Sequence, residues 1–296
     1  MRISTAIGRF DAQLHADGKS LLTRQVYLRD LRAFERWFGS GVELSTITPT
    51  EVARFLASET FTHTRTGRPK KTVSLNRSKS AMRSFFQFLV DAGYLTENPA
   101  RLIRMGRCSR KIPAYLSRSE IHTLLRSLEK ANTPIARRDR LMFSLMLSTG
   151  IRLGSLVALN VGDIDLAHST LHIRGKNGTE SAVFLSQPLK RLLKRHVAHR
   201  PGHDDEALFV SNRGRRIGVR QVELRLAYWI HIAGIAKQCS VHSLRHTFAT
   251  CLYEKTGDLR LVQRALGHRR ITTTDIYAHM IDSRLRRAVQ HLDLLG

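Results

Sequence analysis

Four side chains in the last quarter of the chain have the types and spacing to act on a phosphodiester: His242, Arg245, His268 and Tyr277. His242 and Arg245 are three residues apart, which puts both on one face of a helix. Leu244, Phe248 and Leu252 recur beside them at helical spacing, so apolar contacts can anchor that helix while its polar pair faces a cleft. The set holds no carboxylate, which makes it a poor kit for a metal ion or for acyl transfer. A phosphodiester suits it better. Its non-bridging oxygens gain negative charge under attack, a guanidinium answers them with a planar fork, and an imidazole adds a directional donor. Tyr277 is the natural nucleophile: its phenol ordinarily ionises near pH ~10, and cationic neighbours favour the phenolate. Taken singly, a Tyr or His is most often an ordinary half-buried core residue. The order and spacing of the whole set carry the reading.

Several elements must position these groups. Gly257 stops the first helix, Asp258 caps a second one running to Leu266, and Gly267 ends that one, leaving His268 at a turn. Thr272, Thr273 or Thr274 caps the next short helix, which carries Tyr277. Upstream, Arg140 to Thr149 is a strongly apolar helix broken at Gly150, and a short apolar helix follows from Leu156 to Leu159. Arg152 lies between them, where a buried cation is costly without an anionic partner; a DNA phosphate or an internal carboxylate would serve. Thr170 to Arg174 and Ser181 to Leu185 read as strands joined by a hairpin turn, Gly175 to Gly178, with Lys176 at its tip. A turn lysine is ordinarily just solvent-facing.

The remaining segments frame this region. Ser117 and Glu120 form a capping box that starts a helix through Leu128. Gln187 to His199 is a basic helix; His196, His199 and His203 lack acidic or Cys partners, which argues against a metal site. Leu208 to Val210 reads as a short strand, Asn212 to Arg216 as a basic turn, and Arg220 to Ala233 as an amphipathic helix holding Trp229. Ser283 to Leu295 is a last amphipathic helix with Leu285, Val289 and Leu292 on one side. In the first hundred residues, helices are expected over Leu21 to Phe38, from Thr48-Pro49 onward, and over Thr72 to Ala92, with a basic loop from Thr62 to Lys71. Arg65, Arg68, Lys70, Lys71, Arg77 and Lys79 are the densest basic run there, a solvated loop or a phosphate-contacting surface. The expected organisation is a helical domain at 1–103, a basic linker at 104–115 and a mixed α/β domain at 116–296. The fold class is therefore mainly α with a small β-sheet (α+β).

Lys and Arg number 49 against 24 Asp and Glu, a formal charge of +25. Residues 1–100 hold 15 bases and 9 acids, a net of +6, which leaves +19 for the rest. Charge spread over the whole length, with no long apolar span or basic amphipathic anchor, favours nucleic acid over a membrane surface. Cys108, Cys239 and Cys251 are far apart and odd in number, which points to a reducing compartment and away from zinc. With no apolar h-region near the N-terminus, the expected location is cytoplasmic.

HSLRH at residues 242–246, LGH at 266–268 and Tyr277 nine residues beyond that His resemble the second half of the active-site signature of the tyrosine recombinases, or phage-integrase family, its Xer-type and integrase branches above all. Thr149-Gly150-Ile151-Arg152 followed by Leu156-Val157-Ala158-Leu159 resembles the family's first box, with Ser155 where that box usually has Glu, a position generally taken to support the Arg. Lys176 stands 24 residues beyond Arg152, in keeping with the family lysine on a β-hairpin that enters the DNA groove. The resemblance implies a clamp of two domains, the N-terminal one a core-binding domain, on double-stranded DNA recombination sites. It implies a catalytic set of Arg152, Lys176, His242, Arg245, His268 and Tyr277, strand exchange through a 3′-phosphotyrosine, and no cofactor or metal. Integration, excision and dimer resolution all use this chemistry. It further implies a homotetramer on synapsed DNA, in which the C-terminal helix docks on a neighbouring protomer and a paralogous recombinase can serve as partner. A type IB topoisomerase-like nicking and closing enzyme, or a DNA-binding relative without catalysis, are the alternatives.

Overall fold

The computed structural model describes residues 1–39, 41–108, 114–174, 180–200 and 206–267. The chain is mainly helical with one small antiparallel sheet, and it divides into two units, Met1–Arg110 and Lys111–Gly296.

The first unit contains α1 (Ile3–Ala16), α2 (Leu21–Phe38), α3 (Pro49–Ala57), the short α4 (Glu59–Thr62) and α5 (Thr72–Asp91). Sequence reading left out α1, although its buried Ile3, Ala6, Ile7, Phe10 and Leu14 follow a helical period. Ser20 caps α2 by accepting from the amide of Thr23, and Thr48 caps α3 by accepting from that of Glu51. The core is aromatic. Phe34 meets Phe55 and Phe86 edge to face, with ring centroids 5.0 and 5.7 Å apart.

The basic run is partly committed to the unit's own structure. The Lys70 ammonium donates to the carbonyls of Thr60 (3.1 Å) and Phe61 (2.7 Å), and burial holds its pKa below the usual lysine range. Arg77 pairs with Asp30, and Lys79 donates to the Arg104 carbonyl. Arg65, Arg68 and Lys71 are exposed. The stretch expected to begin a linker at residue 104 is held against α5: Asn76 donates to the Gly106 carbonyl and accepts from its amide, both at 2.8 Å.

The second unit contains α6 (Arg118–Ala131), α7 (Pro134–Thr149), α8 (Leu153–Ala158), β1 (Ile164–Asp165), β2 (Thr170–Arg174), β3 (Glu180–Phe184), α9 (Gln187–Ala198), α10 (Val219–Ile232), α11 (Val241–Thr256) and α12 (Leu259–Leu266). The Ser117/Glu120 capping box opens α6, in line with the sequence. The central helix α7 starts earlier than its apolar run suggested, at Pro134, where Thr133 caps it. It buries Leu141, Met142, Phe143, Leu145 and Met146.

One charged knot crosses the core. Asp139 is fully buried and receives Arg138 (2.8 Å), Arg225 (2.6 Å) and the Trp229 indole N–H (2.9 Å). Around residues 207–217 the expected strand at Leu208 to Val210 is replaced by isolated bridges, Asn160 to Ala207 and Val210 to Arg216. Single backbone bonds tie this stretch on either side, from the Leu208 amide to the Leu159 carbonyl (2.8 Å) and from the Ile217 amide to the Phe209 carbonyl (2.9 Å). The Arg216 guanidinium takes the carbonyls of Val157 (3.2 Å) and Leu159 (2.9 Å).

The sheet runs in the order β1-β2-β3, with Leu171 opposite Val183 and Arg174 opposite Glu180. Leu171 and Ile173 face the core, while His172 and Arg174 are exposed. Among the described residues, no helix is long and apolar enough to cross a membrane.

Candidate active site

The site is built where α7 ends, α8 begins, and α11 and α12 pass beside them. Gly150 closes α7 in the left-handed conformation, φ +65°. A Cβ there would lie 2.4 Å from a ring carbon of Phe248 and 3.0 Å from Leu266, so this position needs glycine for its conformation and for the closeness of α11 and α12. Arg152, two residues on, occupies the N-cap position of α8.

α11 supplies the next two groups. Val241, Leu244, Ala249 and Tyr253 are buried, and Gly257 ends the helix at φ +70°. Asp258 caps α12 by accepting from the amides of Arg260 and Leu261, and Gly267 closes it in the left-handed region. These boundaries are those the sequence indicates.

Arg245 is the junction of the site. Its side chain is buried, with Nη1 donating to the Gly150 carbonyl and Nη2 to the Leu266 carbonyl at 2.5 Å. One guanidinium thus ties the end of α7, the second turn of α11 and the end of α12 together. Arg152 differs. The sequence suggested a buried cation, but Arg152 is exposed, because an N-cap side chain at the start of a short surface helix projects from the core. Its Nη2 donates to the Gly267 carbonyl at 3.3 Å.

His242 sits one turn before Arg245. Its ring meets that of His246 edge to face at 4.6 Å between centroids. Desolvation, then the charges of Arg245 and Arg152, hold its pKa below the usual imidazole value. Arg152 and Arg245 donate to adjacent carbonyls, those of Gly267 and Leu266, and His242 is one turn from Arg245 on α11, so the three share one cationic neighbourhood. A neutral imidazole in such a neighbourhood can accept a proton while the cations hold an oxyanion.

Sequence reasoning passed over two contacts here. His246 is buried behind His242, and only its place on the α11 period could have signalled it. The Ser155 hydroxyl donates to the Arg174 carbonyl, the last residue of β2, at 3.3 Å; a contact between α8 and a strand so far along the chain leaves no local sequence mark. Lys176, His268, Tyr277 and the amphipathic segment Ser283 to Leu295 lie outside the described residues. Of the three histidines weighed as ligands, His196 bonds the Leu208 carbonyl and His199 the Arg195 carbonyl, while His203 is outside the described residues.

Two family models match the chain: "Phage integrase family" over residues 114–284, and "Phage integrase, N-terminal SAM-like domain" over residues 7–93. Tyrosine recombinase XerC of Serratia marcescens is 39% identical over 212 residues, covering 71% of this chain and 69% of that protein. Tyrosine recombinase XerC of Thermodesulfovibrio yellowstonii is 32% identical over 271 residues, covering 89% and 87%. Among solved structures, XerH site-specific recombinase bound to palindromic difH substrate, a post-cleavage complex, superposes with a TM-score of 0.76 at 26% identity, covering 95% of this chain and 84% of that one.

Proposed function

The chain belongs to the phage integrase family and is a tyrosine-type site-specific DNA recombinase, and from that premise we propose that Tyr277 is its nucleophile in a site completed by Arg152, Lys176, His242, Arg245 and His268. The phenolic oxygen attacks a backbone phosphorus. The P–O5′ bond breaks, the phosphate stays on Tyr277 as a 3′-phosphotyrosine, and the 5′-oxygen leaves with a proton from Lys176. Attack by a 5′-hydroxyl from a partner duplex reverses these steps and restores Tyr277. The ester conserves the strand energy, so the cycle balances without nucleotide hydrolysis.

Arg152, Arg245 and His268 hold the two non-bridging oxygens, and His242 takes up the phenol proton. The observation that carries this reading is the convergence of Arg152, His242 and Arg245, with Arg245 locking the neighbouring helix ends. The exposed guanidinium of Arg152 is a cation held ready for a phosphate. The helical domain at 1–103 and the catalytic domain at 116–296 both bind the duplex, joined by the basic stretch at 104–115, whose start packs on α5. Four copies act on two synapsed sites in the cytoplasm. The segment Ser283 to Leu295 docks on a neighbour, which is a second copy or a paralogous recombinase.

The test uses duplexes selected for binding from a random library and nicked beside each candidate phosphate. Wild type gives a covalent protein–DNA adduct. Tyr277→Phe binds the same duplexes and gives none; an adduct formed by that variant overturns the assignment.

A further inference from the structure

Ser155 stands three residues after Arg152 in the first turn of α8, and the two side chains bond in different directions. Arg152 donates to the Gly267 carbonyl, whereas Ser155 donates its one hydroxyl proton to the Arg174 carbonyl. Arg174 ends β2, and the sequence reaches Lys176 two residues later. β1 pairs with β2 only at Thr170 and Leu171, so among the described residues no strand covers that side of β2 beyond Leu171. Inside α8 the burial of Leu156 fixes the helix against the core, which gives Ser155 a rigid base. The Arg174 side chain is exposed and, among the described carboxylates, comes within 4.0 Å of Asp163, a marginal pair that does little to hold the strand end.

We propose that Ser155 is a positioning residue for the general acid: by fixing the Arg174 carbonyl it sets where β2 releases the chain toward Lys176, and it leaves the phosphate-binding Arg152 untouched. This rests on the reading of Lys176 given above. A displacement of about 1 Å at a reacting group costs on the order of a hundredfold in rate, so one hydrogen bond at the strand end is enough to matter.

Two duplexes of one sequence separate the roles, one with the ordinary 5′-oxygen at the cut and one with sulfur in its place. A thiolate leaves without needing a proton, whereas an alkoxide needs the acid. With the oxygen duplex, Ser155→Ala cleaves about tenfold or more slowly than wild type in a single turnover. With the sulfur duplex its rate returns to that of wild type, and Ser155→Thr behaves as wild type on both. Ser155→Cys, which keeps the size and weakens the donor, shows the same pattern at smaller amplitude and decides the matter if alanine unfolds the unit. A Ser155→Ala rate equally low on both duplexes, as expected for loss of Arg152, overturns the proposal, and so does a wild-type rate with oxygen. Lys176→Ala, measured alongside, is restored by sulfur if Lys176 is the acid. If it stays slow, the general-acid reading itself falls and takes the inference with it.

Discussion

The imidazole of His242 carries a signature that titration can read. Burial and the charges of Arg245 and Arg152 all disfavour its protonated form. The unfolded chain takes up this proton near pH ~6.5, and the folded chain only at lower pH. Native stability from this group is therefore complete above that range and lost as the pH falls through the folded value; the partly buried His196 acts in the same sense. Removing a neighbouring charge relaxes the restraint: in Arg152→Ala the His242 titration followed by NMR moves upward, toward the ordinary imidazole value. An unmoved titration would mean that Arg152 lies too far away to share the site. At this scale the sequence misjudges the surroundings of the groups it singles out. Burial was assigned to Arg152, yet Arg245 is the buried guanidinium, because whether a cation meets main-chain carbonyls depends on helix ends 95 and 21 residues away.

Helices and their caps were the most legible elements, since each boundary is written locally. The Ser117/Glu120 box, Asp258, Gly257 and Gly267 all stand where a period begins or stops. α1 is equally legible from its period, while the bridge at Ala207 pairs with the distant Asn160, which no local pattern marks. Asp139 belongs to the same class of distant contacts, joining α7 to α10. Neutralising it leaves the guanidiniums of Arg138 and Arg225 without their counter-charge inside the second unit. Asp139→Asn is expected to lose about 3–5 kcal/mol of stability. The check is the denaturant midpoint, read by Trp229 fluorescence, and a loss below about 1 kcal/mol would show that the knot is dispensable.

For the whole chain, the charge of +25 dominates encounters with nucleic acid. If six to ten phosphates are contacted, affinity for a duplex falls by roughly 10³–10⁵ between about 50 and 200 mM salt. A filter-binding or anisotropy series checks this, and a flat response would mean that few of the exposed bases reach the backbone. Composition alone made the polyanion legible, whereas the sequence of the target depends on side-chain placements that no local pattern encodes. Many of the acids are already engaged: Asp11 with Arg24, Asp30 with Arg77, Glu120 with Lys237 and Asp139 with two arginines. Free copies of such a chain push one another away, because the bases outnumber the acids about two to one. The duplex is then more than the thing being cut. It is also the counter-ion that lets copies of a chain charged +25 lie close together.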